Sequence, residues 1–312
     1  MVFNVGPFSA SGPLEGDKIS NRGFNALLMD ETGMPTHFLK VRPGHHSLFS
    51  TEIDTQAALA GHPSAGALIP AVATTFVHGP MRVLVTEFIR GERLDGLLKR
   101  RVERLERWAG PVSDFLGAAS SLWPALSEIT FGDEVPGQSA TLRQVESELE
   151  TLGTLGLSAA AGEVFRDRLA RTELASVPQH GDLWPWNVFY SRSGWKILDF
   201  EITGEIDLPL YDIFHLIRSA AGISSEVQSG EWLRSWAALS STNSDLQEVI
   251  GWSIQGLSAQ EAEAALIAYL IDITSRFYRR GLRESRIDSL LLELEALPEI
   301  LDEGILAKAL FG

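Results

Sequence analysis

Cysteine is absent from the 312 residues, which excludes disulfides, thiolate metal sites and cysteine nucleophiles and fits a reducing compartment. Any metal must therefore be held by oxygen or nitrogen ligands. No apolar run approaches the ~20 residues that a helix needs to cross a bilayer. The opening MVFNVGPFSASG also lacks the basic-then-apolar pattern of a secretion signal. The expectation is a soluble, cytoplasmic chain with no membrane partner. Basic residues are few: 26 Lys and Arg against 41 Asp and Glu leave a formal net charge of -15. That balance repels polyanions unless a basic face is segregated, so no nucleic-acid partner is expected. There is no G-x-G-x-x-G fingerprint, no P-loop, no internal repeat and no low-complexity linker.

What remains is the composition of an ordinary folded protein, 45% hydrophobic and 21% charged, long enough for two lobes that share a cleft. The first ninety residues read as β-rich with one helix. Phe24–Met29 and Thr36–Val41 are short apolar-rich runs around a turn at Asp30–Pro35. Leu48–Ala60 has helical character, and Ala71–Val77 and Arg82–Ile89 flank a turn at His78-Gly79-Pro80. After Gly91 the pattern lengthens into helices: Leu94–Trp108, Val112–Ile129, Thr141–Leu152 and Ala159–Leu174. Two short β-type runs follow, Val188–Tyr190 and Trp195–Phe200, and helices resume from Leu210 with breaks at Gly251 to Gly256 and at Gly281. The expected fold class is α+β. Residues 1–90 form a small lobe built on an antiparallel sheet with one helix, and residues 91–312 form a larger, mainly helical lobe.

The chemistry concentrates in His180-Gly181-Asp182-Leu183-Trp184-Pro185-Trp186-Asn187, followed after a short hairpin by Leu198-Asp199-Phe200-Glu201. An Asp, an Asn five positions on and a second Asp at the end of the next strand can aim three oxygen-bearing side chains into one cleft. Phosphoryl transfer needs that set: a carboxylate to orient the incoming hydroxyl, and hard oxygen ligands to hold magnesium against phosphates.

These motifs resemble the aminoglycoside phosphotransferase and choline kinase family, which carries an HGD-x-x-x-x-N loop and a D-[FW] pair on a fold related to that of protein kinases. The resemblance implies a two-lobed protein-kinase-like fold, ATP or GTP as donor and Mg2+. It also implies an acceptor hydroxyl on a small molecule: a sugar, aminocyclitol, aminoglycoside or amino alcohol. By it, Asp182 is the catalytic Asp, and Asn187 and Asp199 hold magnesium. Lys40, ending the run Phe38-Leu39-Lys40-Val41, matches the strand Lys that contacts the nucleotide phosphates. Its acidic partner on the following helix is Glu52, with Asp54 the competitor on a different helical face. Ser20 and Asn21 fall in the phosphate-covering loop, and Leu84–Gly91 matches the hinge, where backbone groups of Glu87 and Ile89 would hold the base. Each of these matches alone is an ordinary turn, strand or solvated charge; their order along the chain is what joins them.

Within the family the chain is similar to a branch with Trp before the Asn, an acidic residue after D-[FW] and a downstream P-L-Y-D-[IL]-F-H run. Here these are Trp186, Glu201 and Pro209–His215, a likeness that points toward a sugar. Asp212 resembles the family's structural Asp, which braces the catalytic loop. Asp207 stands where Gly is expected, and its role is open. Glu201 either adds a carboxylate near the metals or faces solvent. His180 is read as scaffold. Arg276, Arg279, Arg280, Arg283 and Arg286 either recognise an anionic acceptor or form a solvated face paired with Glu284 and Asp288. Two other classes compete with a small-molecule kinase. A nucleotide-binding pseudokinase scaffold would show decay of the metal-binding set, and a protein kinase would need a long activation segment, for which seven residues between Asp199 and Asp207 leave no room.

Overall fold

The computed structural model describes residues 2–4, 23–99, 109–132, 134, 136–224, 231–240, 251, 256–281 and 284–311. Its N-terminal part is an antiparallel sheet in the order β1-β2-β3-β5-β4. The strands are β1 Val2–Asn4, β2 Phe24–Met29, β3 Pro35–Pro43, β4 Val72–His78 and β5 Met81–Glu87. The β2–β3 hairpin closes on Asp30, whose Oδ1 accepts from the N–H groups of Thr32 and Met34, both at 2.9 Å. Gly33 supplies the positive φ of 82° that this turn requires. One helix, α1 Ser47–Ala60, packs on the sheet. Its buried residues Phe49, Glu52, Ile53, Gln56 and Leu59 fall on one stripe at helical spacing. β4 forms an outer edge: Phe76 and Val77 are exposed, and no described strand pairs with its far side.

The chain crosses at Phe88–Arg90 into β6 Gly91–Arg93, which opens a second antiparallel sheet, β6-β7-β8, with β7 Val188–Ser191 and β8 Gly194–Ile197. Around it stand α2 Leu94–Lys99, α3 Ala109–Ala119, α4 Leu122–Phe131, α5 Ala140–Leu155, α6 Ala159–Ala170, α7 Tyr211–Ser224 and α8 Glu231–Ser240. They are followed by α9 Ala259–Arg279, α10 Glu284–Asp302 and α11 Ile305–Phe311. α9 is the buried axis of this lobe; it starts on a capping box between Ser258 and Glu261 and buries Leu266 through Ser275 without interruption.

The two-lobed α+β architecture is the expected one, with local differences. The run Val112–Ile129 is two helices, because Pro124 in the first turn of α4 lacks an N–H and cannot continue the preceding helix. The second β-type run stops at Ile197, ahead of Asp199 with its φ of 68°. The helix from Ala159 ends at Ala170, and residues 100–108 of the expected helix from Leu94 lie outside the described residues. Packing also crosses residue 90: Leu59, Ala65, Leu68 and Ile69 belong to the large core of the helical lobe, and Lys196 Nζ donates to Ile69 O at 2.9 Å. Among the described residues the sheet side keeps two small clusters, Val41–Val83–Val85 and Phe49–Ile53–Leu84.

Candidate active site

The strand register places Lys40. It pairs with Leu84 across β3 and β5, cross-strand partners share a face, and Leu84 packs on Phe49 and Ile53 of α1. Lys40 therefore points at the helix, where Glu52 lies on the buried stripe and Asp54 on the exposed side. The ammonium sits 2.8 Å from Glu52 Oε2. It also reaches across to the other lobe, 2.9 Å from Asp199 Oδ1 and 2.6 Å from Glu201 Oε1.

The loop carrying Asp182 is held from below by Asp212 at the start of α7. Its fully buried carboxylate accepts from His180 N at 2.8 Å, Gly181 N at 2.9 Å and the Trp123 indole N–H at 3.0 Å. Gly181 has φ 83°, a conformation that favours glycine, and a Cβ there would also crowd Ile202 and Ile206. His180 is fully buried, shares 3.0 Å with Leu198 O through Nε2 and packs edge-on against Phe200. Asn187 Nδ2 donates to Asp182 O at 2.9 Å and Oδ2 at 3.1 Å. That orientation leaves Asn187 Oδ1 without a protein partner among the described residues. Leu198 N donates to Asn187 O at 2.9 Å, tying the loop to the segment that carries Asp199.

Electrostatics follow from burial and crowding. Burial opposes the Lys40 ammonium, but Glu52, Asp199 and Glu201 outweigh it and hold the cation well above its ordinary value. Three carboxylates around one ammonium leave net negative charge. Accordingly, burial and then the charges of Asp199 and Glu201 push Glu52 up to about 7 against the pull of Lys40. Burial also acts on Asp199, yet Lys40 prevails and its carboxyl is lowered. Asp182 is raised, by burial first, against the pull of His180, with the Asp199 charge adding to the rise. Carboxylate oxygens of Glu52, Asp199 and Glu201 all lie within 4.8 Å of one another. These carboxylates, like the Asn187 amide that is bonded to Asp182, offer oxygen donors, which suit a hard divalent cation.

Glu201 thus does not merely face solvent: it is bonded to Lys40 and adds a carboxylate beside Asp199. Asp207 is structural. Its carboxylate accepts from Ala140 N, Thr141 N and the hydroxyls of Ser139, Thr141 and Ser176 at 2.7 to 2.9 Å, capping α5. Two of the Arg series pair with acids other than those expected. Arg276 bonds Asp272 at 2.6 Å and Arg279 bonds Glu148 at 2.5 Å; Arg286 is exposed, and Arg283 lies outside the described residues. Ser20 and Asn21 also lie outside them.

At the hinge, Glu87 N donates to Ala71 O and Phe88 N to Thr36 O, both at 2.9 Å, while the N–H of Ile89 has no protein acceptor among the described residues. The Glu87 carboxylate meets Ala71 N and Lys196, 3.1 and 3.3 Å away. A cavity of about 450 Å³ lies between Glu87–Arg90 and the turn Ser191–Ser193; Lys40, Asp182 and Asp199 do not line it. Motif reading named Trp184, Trp186 and His215 but not the aromatic stack they form with Phe277. Trp184 and Trp186 stack at 4.3 Å and 10°, Phe277 lies parallel to Trp184 at 6.3 Å, and His215 meets Trp184 edge-on at 4.2 Å. Only the alternation of Trp around Pro185 could have signalled it.

A sheet lobe bearing a Lys–Glu pair, set against a helical lobe that presents Asp, Asn and Asp, defines the two-lobed kinase-like class. Residues 19–249 match the family model described as "Phosphotransferase enzyme family", and the chain belongs to that family. Among solved structures it is similar to a glucosamine kinase in complex with glucosamine, ADP and inorganic phosphate. That likeness has a TM-score of 0.56 and 12% identity, covering 93% of this chain and 82% of the other. It is also similar to an ethanolamine kinase of Plasmodium vivax, with a TM-score of 0.50, 12% identity and 91% and 80% coverage. No curated protein sequence matches.

Proposed function

We propose that this phosphotransferase moves the γ-phosphoryl group of ATP to a hydroxyl of a small molecule, with Mg2+. The observation that carries the reading is the convergence on Lys40 Nζ of Glu52 from one lobe and Asp199 from the other, with Asp182 bonded to Asn187 alongside. In this reading Lys40, held by Glu52, donates to the α- and β-phosphates. Asp182, whose carboxyl burial lifts, orients the acceptor hydroxyl and receives its proton. The acceptor oxygen bonds to the γ-phosphorus as the bond from that phosphorus to the β–γ bridging oxygen breaks, and ADP leaves. Asn187 and Asp199 would hold magnesium, which when bound neutralises charge on the phosphate oxygens. The backbone of Glu87 and Ile89 would meet the base, ATP or GTP alike. The glucosamine and ADP of one similar structure and the ethanolamine kinase activity of another support a small hydroxyl acceptor. A scaffold without turnover is not favoured by any observation, since every side chain of the set is present and converging.

The test is Asp182→Asn. Turnover should fall by about 10²- to 10⁴-fold while nucleotide affinity stays close to that of the wild type. Equal steady-state rates would remove Asp182 from the mechanism.

A further inference from the structure

Beside Asp182 the structure holds a rigid aromatic wall. Trp186 is 41% exposed and lies directly before Asn187. Its ring is backed by Trp184, which Phe277 and His215 hold in turn. His215 is buried and tied through Nδ1 to the Tyr269 hydroxyl at 3.3 Å, which fixes the ring that meets Trp184 edge-on. An exposed indole so supported offers a flat apolar face to the C–H face of a pyranose.

Next to that wall stands a cation of different standing from its neighbours. Arg276 and Arg279 are neutralised by Asp272 and Glu148, and Arg218, under the same wall, is locked to Glu293 at 2.7 Å. Arg280 follows Phe277 by three positions, which places the two on one side of the helix end. It is exposed and has no acidic partner among the described residues. Phe277 lies parallel to Trp184 at 6.3 Å, and Arg280 caps the helix one turn beyond it, at the same end of the wall. A guanidinium without a partner is matched in shape and charge by a carboxylate or a phosphate, and it disfavours an ammonium placed beside it.

Resting on the phosphotransferase reading, we propose that the acceptor is a sugar ring carrying an anionic group, with the ring against Trp186 and the anion on Arg280, and that Arg280 selects against cationic acceptors. The reacting hydroxyl is the one this pose presents to Asp182. The substrate class is thereby an acidic sugar, with a carboxylate or a phosphate as the anion.

The full chain would be titrated with D-glucuronate, D-glucose 6-phosphate, D-glucose and D-glucosamine, with tryptophan fluorescence reporting binding and ADP release reporting turnover with Mg·ATP. At least one of the two acids should bind about tenfold more tightly than glucose or glucosamine and show the higher kcat/KM; which acid does so separates carboxylate from phosphate. Arg280→Gln should erase that preference, chiefly in Kd and KM, and Arg280→Lys should restore part of it. Trp186→Ala should weaken every sugar. Glucosamine binding as well as or better than both acids, neither acid binding more tightly than glucose, or a preference that survives in Arg280→Gln would overturn the inference. Failure of Mg·ATP to stabilise the wild-type fold would instead overturn the phosphotransferase reading, and the fluorescence arm would still decide the anion site.

Discussion

Lys40 has three donors, and three carboxylates surround it. A nucleotide phosphate can reach that ammonium only by displacing one of them. Glu201 is the natural one to leave, since Glu52 is enclosed by α1 and Asp199 is fixed by a left-handed backbone. Its carboxylate therefore competes with phosphate in the absence of metal. Glu201→Gln is expected to tighten ADP without magnesium by about fivefold, the equivalent of about 1 kcal/mol; calorimetric titration of both proteins measures it, and unchanged affinity would show that Glu201 stays clear of the phosphates. This tie was not legible beforehand. Position along the chain and helical spacing, both local, favour Glu52 and leave Asp54 as competitor, and the structure puts Glu52 on Lys40. The convergence of Lys40 with the segment at Asp199, 159 positions away, depends on how two lobes close, which no local pattern encodes. Of the two readings of the residue after the D-[FW] pair, a carboxylate close to Asp199 is the one the geometry supports, while its bond to Lys40 was in neither.

Elements were legible where one periodicity ruled. The stripe Phe49–Leu59 reads as a helix because its apolar positions repeat at three and four, and the β2–β3 and β4–β5 hairpins announce themselves through Gly and Pro. β1 is three residues long, too short for any alternation to register, and β6 is defined only by its pairing with β7. The break before α4 was missed because apolar periodicity runs on through Ser120 and Ser121 while Pro124 resets the backbone. Asp207 shows the same limit: an acid where a Gly was expected turned out to cap α5 from a distant loop. Asp207→Ala strips an acceptor from five donors and should destabilise the fold by about 2 to 4 kcal/mol, measurable by denaturant unfolding. Burial raises this carboxyl, but hydrogen bonds from Thr141, Ala140 and Ser176 outweigh it and hold it below its ordinary 3.8. Its stabilisation is thus complete above that value and is lost as pH falls through the lowered one. Asp207→Asn should lose less stability than the wild type over that acid range.

At the scale of the whole molecule, the nucleotide would bind between lobes that share packing across residue 90 and a salt-bridge cluster around Lys40, so binding should report on the entire fold. With ATP and magnesium at a hundred times the dissociation constant, linkage gives about 2.7 kcal/mol, a rise in Tm of about 4 °C for a chain of this size. Asp199→Asn should lose the magnesium-dependent part of that rise. A differential scan of both proteins with ATP, with magnesium, with both and with neither separates the terms; identical rises would move the metal elsewhere.

The edge strand β4, unpaired on its far side among the described residues, has a further consequence. β4 reads Val72-Ala73-Thr74-Thr75-Phe76-Val77-His78, with none of the Lys, Glu or Pro residues that commonly guard such edges. Its backbone is a template on which a second copy could lay a strand. What opposes that pairing is colloidal: a net charge of -15 makes every molecule repel its neighbour. Acid or high salt, which remove or screen that repulsion, are therefore expected to favour self-association through this edge, which light scattering would read.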